Sequence, residues 1–213
     1  HKMKIAITLR IQNFTEINEK RDTLSHDWIK LFNEYNFEPV LIPNNLKNLE
    51  SFLDYHSSDG FILSGGDNIG DDHERDLTER TILKYAIEHT KPLFGVCRGL
   101  QVINNYFDGT HLATTNKNHV RKNHNINFSG IVSELLDLSE RNVNSFHDNI
   151  IKNDMLGKDL HPFAISDSDQ TIEGIIHTNL PILGVMWHPE RNIDLESEKN
   201  LIKNTFNKLF WKK

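Results

Sequence analysis

Short apolar segments recur along the chain, and this recurrence constrains the fold more than any other feature of the sequence. They occupy residues 4–9, 38–42, 60–63, 92–96 and 182–187. The polar and amphipathic stretches between them are long enough for crossover helices, so the alternation predicts a parallel sheet. Near-continuous apolar runs such as 61–63 are typical of strands that helices cover on both faces. We therefore expect an α/β fold with a doubly wound, mostly parallel sheet.

The intervening stretches predict the helices of this fold. Helical periodicity is expected over residues 24–35, 46–55, 74–89, 100–107 and 196–210. Between residues 125 and 176 the pattern changes to shorter alternating segments, such as 163–165 and 171–176. Because period-two alternation indicates half-buried strands, this region predicts a small antiparallel addition to the sheet.

Length and composition limit the class of protein. A chain of 213 residues fits one domain, expected over residues 3–213, with about 70% of its unfolded surface buried. The net charge of -6 argues against nucleic acid or an anionic membrane as the main partner, so a small molecule is expected. With one cysteine and neither a signal peptide nor a membrane span evident, we expect a cytoplasmic protein. Met3 is the expected natural start, and residues 1 and 2 a remnant of cloning.

The single cysteine, Cys97, lies at the end of an apolar run and at the expected start of a helix. Gly95 and Gly99 flank it at a spacing of two, as in the strand–turn–helix elbow that exposes a nucleophile in hydrolases. A helix N-terminus should help to lower the pKa of this thiol. The alternative is that Cys97 is a small buried apolar side chain.

A second motif suggests partners for such a nucleophile. The last apolar segment ends in His188, followed by Pro189 and Glu190. Cysteine catalysis needs an imidazole to exchange protons with the thiol and the leaving group, and a third group to orient that ring. The pattern predicts Cys97, His188 and Glu190 as a catalytic triad.

Taken together, the two motifs G-x-C-x-G-x-Q and W-H-P-E resemble those of the class I glutamine amidotransferase superfamily. The similarity favours its stand-alone γ-glutamyl hydrolase branch, and it extends from about residue 60 to residue 190. Three further segments carry it: Arg75 and Asp76 with Glu79, residues 97–104, and residues 143–147. The branch usually has His-Gln where Asp148 and Asn149 stand, and Gln where Met186 stands. These departures bear on the identity of the substrate, whereas the nucleophile and its partners match the pattern.

The resemblance implies a flavodoxin-like arrangement of the sheet and specific roles at the site. Backbone N–H groups of Gly66 or Gly65 and of Arg98 would form the oxyanion hole. Side chains or backbone of five residues would contact the glutamyl group: Gln101, Asn144, Ser145, Phe146 and His147. His147 has the alternative role of orienting its loop, and the resemblance assigns no roles to the Arg75, Asp76 and Glu79 side chains.

The expected activity is hydrolysis of a γ-glutamyl amide to release L-glutamate through a thioester, without a cofactor. Within the branch, the resemblance extends to hydrolases of γ-glutamyl-aminobutyrate and of γ-glutamyl-CDP-amidate, the latter in capsule phosphoramidate synthesis. One alternative is a glutaminase subunit that delivers ammonia to a partner synthase. Another is a noncatalytic binding protein that kept the fold.

The sequence lacks the usual motifs for binding a metal ion or a phosphate. His119 and His124 share a polar stretch but lack the H-E-x-x-H or cysteine spacing of zinc sites, so no metal is predicted. No G-x-x-x-x-G-K-[ST] phosphate loop is present. Arg10, Arg98 and Arg121 remain as basic residues that could face either a phosphate or solvent.

Overall fold

Strands and helices alternate along the part of the chain that the computed structural model describes, residues 2–114 and 122–212. The strands are β1 (Met3–Thr8), β2 (Arg10–Phe14), β3 (Glu19–Thr23), β4 (Phe37–Ile42), β5 (Gly60–Leu63), β6 (Leu93–Val96), β7 (Leu112–Ala113), β8 (His124–Phe128), β9 (Glu140–Val143), β10 (Asn149–Ile150), β11 (Leu160–Ser166), β12 (Ile172–His177) and β13 (Ile182–Val185). The helices are α1 (His26–Glu34), α2 (Leu49–His56), α3 (His73–Glu88), α4 (Arg98–Tyr106), α5 (Gly130–Leu136) and α6 (Glu196–Phe206). His119 and Arg121 lie outside the described residues.

Nine of these strands form one mixed sheet, in the order β4-β1-β5-β6-β13-β12-β11-β8-β9. The pairs from β4 to β13 are parallel, and those from β13 to β9 are antiparallel. The predicted doubly wound, mostly parallel sheet is confirmed. The predicted antiparallel strands are also present, and they continue the same sheet beyond β13.

Helices cover both faces of the sheet, which explains the apolar strands. Because successive side chains of a strand point to opposite faces, Ile5 packs with α1 and α6, whereas Ala6 packs with α2 and α3. In β6, Phe94 belongs to the first of these cores and Leu93 to the second, where α4 also packs. All four residues of β5, of β6 and of β13 are buried.

Several elements have no counterpart in the sequence prediction, among them the short strand β7. Strands β2 and β3 pair as an antiparallel hairpin, and α5 is a helix of seven residues. Helix α4 begins at Arg98, directly after Cys97 and two residues earlier than predicted. Within the described residues, no helix is long and apolar enough to span a bilayer.

The central strands bring three loops together. Strands β5, β6 and β13 are neighbours in the parallel part of the sheet, so their carboxyl ends lie at one edge. Ser64 and Gly65 follow β5, Cys97 follows β6, and His188 lies three residues beyond β13. In open α/β sheets, ligands bind outside the carboxyl ends of the strands. This edge is the candidate active site.

Candidate active site

Cys97 occupies a strained turn between β6 and α4. Its φ of 55° and ψ of -103° lie outside the regions that residues other than glycine usually adopt. Helix α4 approaches β5 so closely that a Cβ atom on Gly99 would lie 2.3 Å from the Leu63 carbonyl oxygen. The backbone N–H of Cys97 donates to the Val185 carbonyl of β13 at 2.7 Å, which fixes the turn to the sheet. The sharp elbow expected from the glycine spacing is present.

The protonation of Cys97 differs from the sequence expectation. Burial raises the pKa of the thiol to about 12, although the backbone N–H of Arg98 opposes this effect. The negative charges of Glu190, Glu173 and Asp148 add to the increase. The expectation of a lowered pKa is therefore wrong for this state of the protein, in which the thiol is neutral.

His188 and Glu190 form a buried pair close to this turn. Nδ1 of His188 donates a hydrogen bond to Oε1 of Glu190. The backbone of His188 is held by Asn144, whose side-chain oxygen accepts from the His188 N–H at 2.9 Å and whose amide donates to the His188 carbonyl at 3.0 Å. Because its Nδ1 atom is engaged by Glu190, the ring leaves Nε2 for other proton exchange.

Gly65 connects the imidazole with the cysteine. A Cβ atom placed on Gly65 would lie 2.9 Å from Cε1 of His188 and 3.5 Å from Cβ of Cys97. Both side chains therefore border the same glycine, and only a residue without a side chain leaves this space open. The structure therefore brings Cys97 and His188 together beside Gly65, and Glu190 joins them through its hydrogen bond with His188.

A buried arginine holds the glycine loop from behind. Arg75 donates to the carbonyls of Ser64, Gly65 and Gly66 at 2.9, 3.0 and 2.5 Å. Since the C=O and the following N–H of a trans peptide point in opposite directions, the Gly66 N–H faces away from Arg75. Arg75 also donates to Glu79 at 2.7 Å. This arrangement gives the Arg75 and Glu79 side chains a positioning role that the motif alone did not reveal.

The side chain of Arg98 belongs to the same network. Its guanidinium donates to Glu79 at 2.9 Å and to Asp76 at 2.5 Å, and its side chain is 2% exposed. The guanidinium therefore faces the protein interior, whereas the sequence analysis expected it to face either solvent or a phosphate. Only its backbone N–H, at the start of α4, remains a candidate for the oxyanion hole.

A cavity of about 280 Å³ opens above these groups. The predicted site residues that line it are Gly65, Gly66, Cys97, Arg98, Gln101, Phe146, His147, His188 and Glu190. Asn144 and Ser145 are buried behind it, and their roles as substrate contacts stay predictions. Gln101 accepts a hydrogen bond from Asn149 at 3.3 Å, which links α4 to β10.

Behind Phe146, a buried carboxylate lies between two histidines. Oε1 of Glu173 in β12 is 2.6 Å from Nε2 of His124 and 3.4 Å from Nε2 of His147. Burial opposes ionisation of Glu173, but the hydrogen bonds from both imidazoles outweigh it and lower its pKa. Burial likewise opposes the charged form of His147, but Glu173 and the Asn149 carbonyl raise its pKa. This network, which the sequence analysis missed, anchors the loop that carries Phe146.

His124, His147 and Glu173 are residue types that commonly bind a divalent cation. Their ligand atoms lie within 4.8 Å of one another, and two histidines with a carboxylate is a set that Zn²⁺ accepts. The short contact between Nε2 of His124 and Oε1 of Glu173 gives each of these groups the other as a partner without a metal. We therefore assign no metal here.

Several known proteins are similar to this chain in sequence. The family model described as Peptidase C26 matches residues 5–190. The γ-glutamyl-CDP-amidate hydrolase of Campylobacter jejuni is 34% identical over 206 residues, which cover 92% of this chain and 94% of that protein. The carbamoyl phosphate synthase small chain of Pyrobaculum aerophilum is 31% identical over 135 residues, or 62% of this chain and 35% of that one.

Solved structures share the fold. The glutaminase domain of Trypanosoma brucei CTPS, with bound acivicin, superposes with a TM-score of 0.71. The match covers 97% of this chain and 94% of that domain, at 15% sequence identity. At this identity the match describes the architecture only.

Proposed function

Because the chain belongs to the Peptidase C26, class I glutamine amidotransferase-like family, we propose that it hydrolyses the γ-glutamyl amide bond of a small molecule through a thioester on Cys97. Family membership supports hydrolysis of a carbon–nitrogen bond. One observation carries the proposal of a thioester on Cys97: Cys97 and His188, which is hydrogen-bonded to Glu190, both lie against Gly65.

In the first half of the reaction, Sγ of Cys97 attacks the γ-carbonyl carbon and its proton passes to Nε2 of His188. Negative charge on the carbonyl oxygen is received by the backbone N–H groups of Gly66, or Gly65, and of Arg98. Each such donor contributes about 3 kcal/mol to stabilisation of the transition state. His188 then donates the proton to the amide nitrogen, the carbon–nitrogen bond breaks, and a γ-glutamyl thioester remains.

In the second half, water attacks the thioester carbon while His188 removes its proton. Collapse of the tetrahedral species breaks the carbon–sulfur bond, and the sulfur recovers its proton from His188 as glutamate leaves. Glu190 keeps Nδ1 protonated throughout, so that Nε2 is the atom that exchanges protons.

The raised pKa of Cys97 defines how the nucleophile is activated. A thiol with a pKa of about 12 is neutral at physiological pH, so there is no preformed thiolate to attack. Proton transfer to His188 must accompany the attack, as for a serine nucleophile. Slow alkylation of the resting thiol is therefore compatible with catalysis, and an activity assay is needed to separate the hydrolase from a noncatalytic binding protein.

We propose a γ-glutamyl nucleotide amidate as the substrate class and capsule phosphoramidate synthesis as its setting. The support is the relative from Campylobacter jejuni, because the similarity covers nearly the full length of both chains. γ-Glutamyl-aminobutyrate is the second candidate substrate. The similarity to a carbamoyl phosphate synthase small chain supports the alternative of a glutaminase subunit with a partner synthase.

A substrate panel tests the proposal. We expect the isolated protein to release glutamate from γ-glutamyl-CDP-amidate faster than from γ-glutamyl-aminobutyrate or glutamine. Cys97→Ala should lower turnover by several orders of magnitude at an unchanged melting temperature. Unchanged hydrolysis in that variant would overturn the mechanism, and a strong preference for free glutamine would favour the glutaminase subunit. Absence of hydrolysis across the panel would favour the noncatalytic protein.

A further inference from the structure

Three arginines line the cavity above Cys97, and they differ in their partners. Arg98 is paired with Asp76 and Glu79, and Arg10 donates to Asp67 at 2.9 Å. Arg191, by contrast, forms no ion pair with any carboxylate in the described part of the chain. Its positive charge is therefore available to a ligand in the cavity.

The guanidinium of Arg191 is held against an aromatic ring. Its Cζ lies 3.9 Å from the centre of the Phe146 ring, within the range of a cation–π interaction. The Phe146 ring in turn meets the His188 ring edge to face, with centres 6.0 Å apart. Through these two contacts His188, Phe146 and Arg191 form a row of neighbouring side chains, and all three line the cavity. One member of the row is the imidazole that protonates the departing nitrogen in the proposed reaction.

This row fits the charge of the proposed leaving group. In a γ-glutamyl nucleotide amidate, phosphorus is bonded to the nitrogen that His188 protonates, so negative charge begins next to the broken bond. A planar guanidinium suits phosphate because it donates two parallel hydrogen bonds. We propose that Arg191, held on Phe146, binds the phosphate of the leaving group and sets the preference of the site for anionic γ-glutamyl amides. This inference rests on the proposed hydrolase function.

The α-carboxylate of the glutamyl group is the competing ligand for Arg191. Every γ-glutamyl substrate carries that carboxylate, whereas only some carry a phosphate. A comparison of an anionic with a neutral leaving group therefore separates the two ligands. Asp27 and Asp148 also line the cavity and would suit the α-ammonium group better than a phosphate.

The test compares Arg191→Gln with a matched control, Arg21→Gln. Arg21 also stacks on an aromatic ring, with Cζ 4.3 Å from the centre of Phe14, but it lies on the β2–β3 hairpin and does not line the cavity. The two substrates are γ-glutamyl-CDP-amidate and the neutral γ-glutamyl-p-nitroanilide. Loss of one charged hydrogen-bonding partner should lower kcat/KM for the amidate roughly ten- to a hundredfold in Arg191→Gln, mainly through KM.

The other measurements define the specificity. Hydrolysis of the anilide should change less than about twofold in Arg191→Gln, and neither substrate should respond to Arg21→Gln. Arg191→Lys keeps the charge without the planar stack, so it should restore part of the amidate activity. Added salt should raise KM for the amidate in the wild type and have a smaller effect in Arg191→Gln.

Two outcomes would overturn this assignment. An equal loss on both substrates would identify the α-carboxylate as the ligand of Arg191, and no loss on either would remove Arg191 from the binding site. If the wild type cleaves neither these two substrates nor γ-glutamyl-aminobutyrate or glutamine, the proposed function fails. Calorimetric binding of CDP then still tests the phosphate site. Weaker CDP binding in Arg191→Gln than in Arg21→Gln would support that site, and equal binding would refute it.

Discussion

Gly65 lies against the Cys97 side chain and Gly99 follows Cys97 by two residues, but the two glycines should respond differently to substitution by alanine. A Cβ atom at Gly65 would approach Cε1 of His188 to 2.9 Å. Since carbon–carbon contacts favour about 3.5 Å or more, the imidazole must retreat by roughly half an ångström. Misplacement of a catalytic group by about 1 Å can cost on the order of a hundredfold in rate. Gly65→Ala should therefore lower kcat/KM about ten- to a hundredfold while the sheet remains intact.

In Gly99→Ala the clash is between backbone segments. The new Cβ atom would lie 2.3 Å from the Leu63 carbonyl oxygen, so α4 and β5 must separate. Overpacking of this kind costs about 1–3 kcal/mol or more in the free energy of unfolding. For a protein of this size each kcal/mol lowers the melting temperature by about 2–4 °C. Gly99→Ala should thus lose several degrees, whereas Gly65→Ala should change little.

Calorimetry and steady-state hydrolysis of one γ-glutamyl amide, measured on both variants, complete this test. The reasoning would be refuted if Gly65→Ala retained wild-type kcat/KM, because the imidazole would then not need its observed position. It would also be refuted if Gly65→Ala lost as much melting temperature as Gly99→Ala.

Three further predictions concern the protonation of the site. Glu190→Gln should lower kcat by roughly 10²–10⁴-fold with little change in melting temperature, because the imidazole loses its orienting charge; a loss of less than tenfold would count against the triad. Since burial raises the pKa of Cys97 to about 12, its iodoacetamide alkylation rate should still be rising above pH 9, and a plateau below pH 8 would contradict the neutral thiol. Glu173→Gln should destabilise the protein most between the lowered pKa of Glu173 and the raised pKa of His147. The stabilisation from ionised Glu173 is lost as pH falls through the folded pKa of Glu173, and the stabilisation from charged His147 is lost as pH rises through the folded pKa of His147. Chemical denaturation of wild type and variant across pH should therefore show the largest difference in unfolding free energy between these two pKa values. A difference that stays constant with pH would refute this prediction.

The parallel half of the fold could be predicted from the sequence because strands buried on both faces leave unbroken apolar runs. Strands β1, β5, β6 and β13 carry that signal. The edge strand β4 carries it only in part, because half of its residues are exposed. The β2–β3 hairpin carries none, since it is mostly exposed and polar. The short α5 offers too few turns for helical periodicity to stand out.

Part of the candidate site could likewise be predicted from the sequence, and part could not. Local motifs predicted Cys97, His188 and Glu190 as site residues, because the residues next to each of them in the sequence carry the signal. The environment of the thiol depends on burial and on carboxylates distant in sequence, such as Glu173, so the direction of its pKa shift was not predictable from the motif. A polar residue within the apolar strand at 171–176 was the one sequence signal for Glu173.

The central claim is that Cys97 carries the γ-glutamyl group during turnover. Mass spectrometry of the protein, quenched in acid during hydrolysis of a γ-glutamyl amide, measures this directly. We predict a γ-glutamyl adduct on the peptide that contains Cys97, absent in Cys97→Ala and removed by hydroxylamine, which cleaves thioesters. Continued turnover by Cys97→Ala, or an adduct on any other residue of the wild type, would contradict the account.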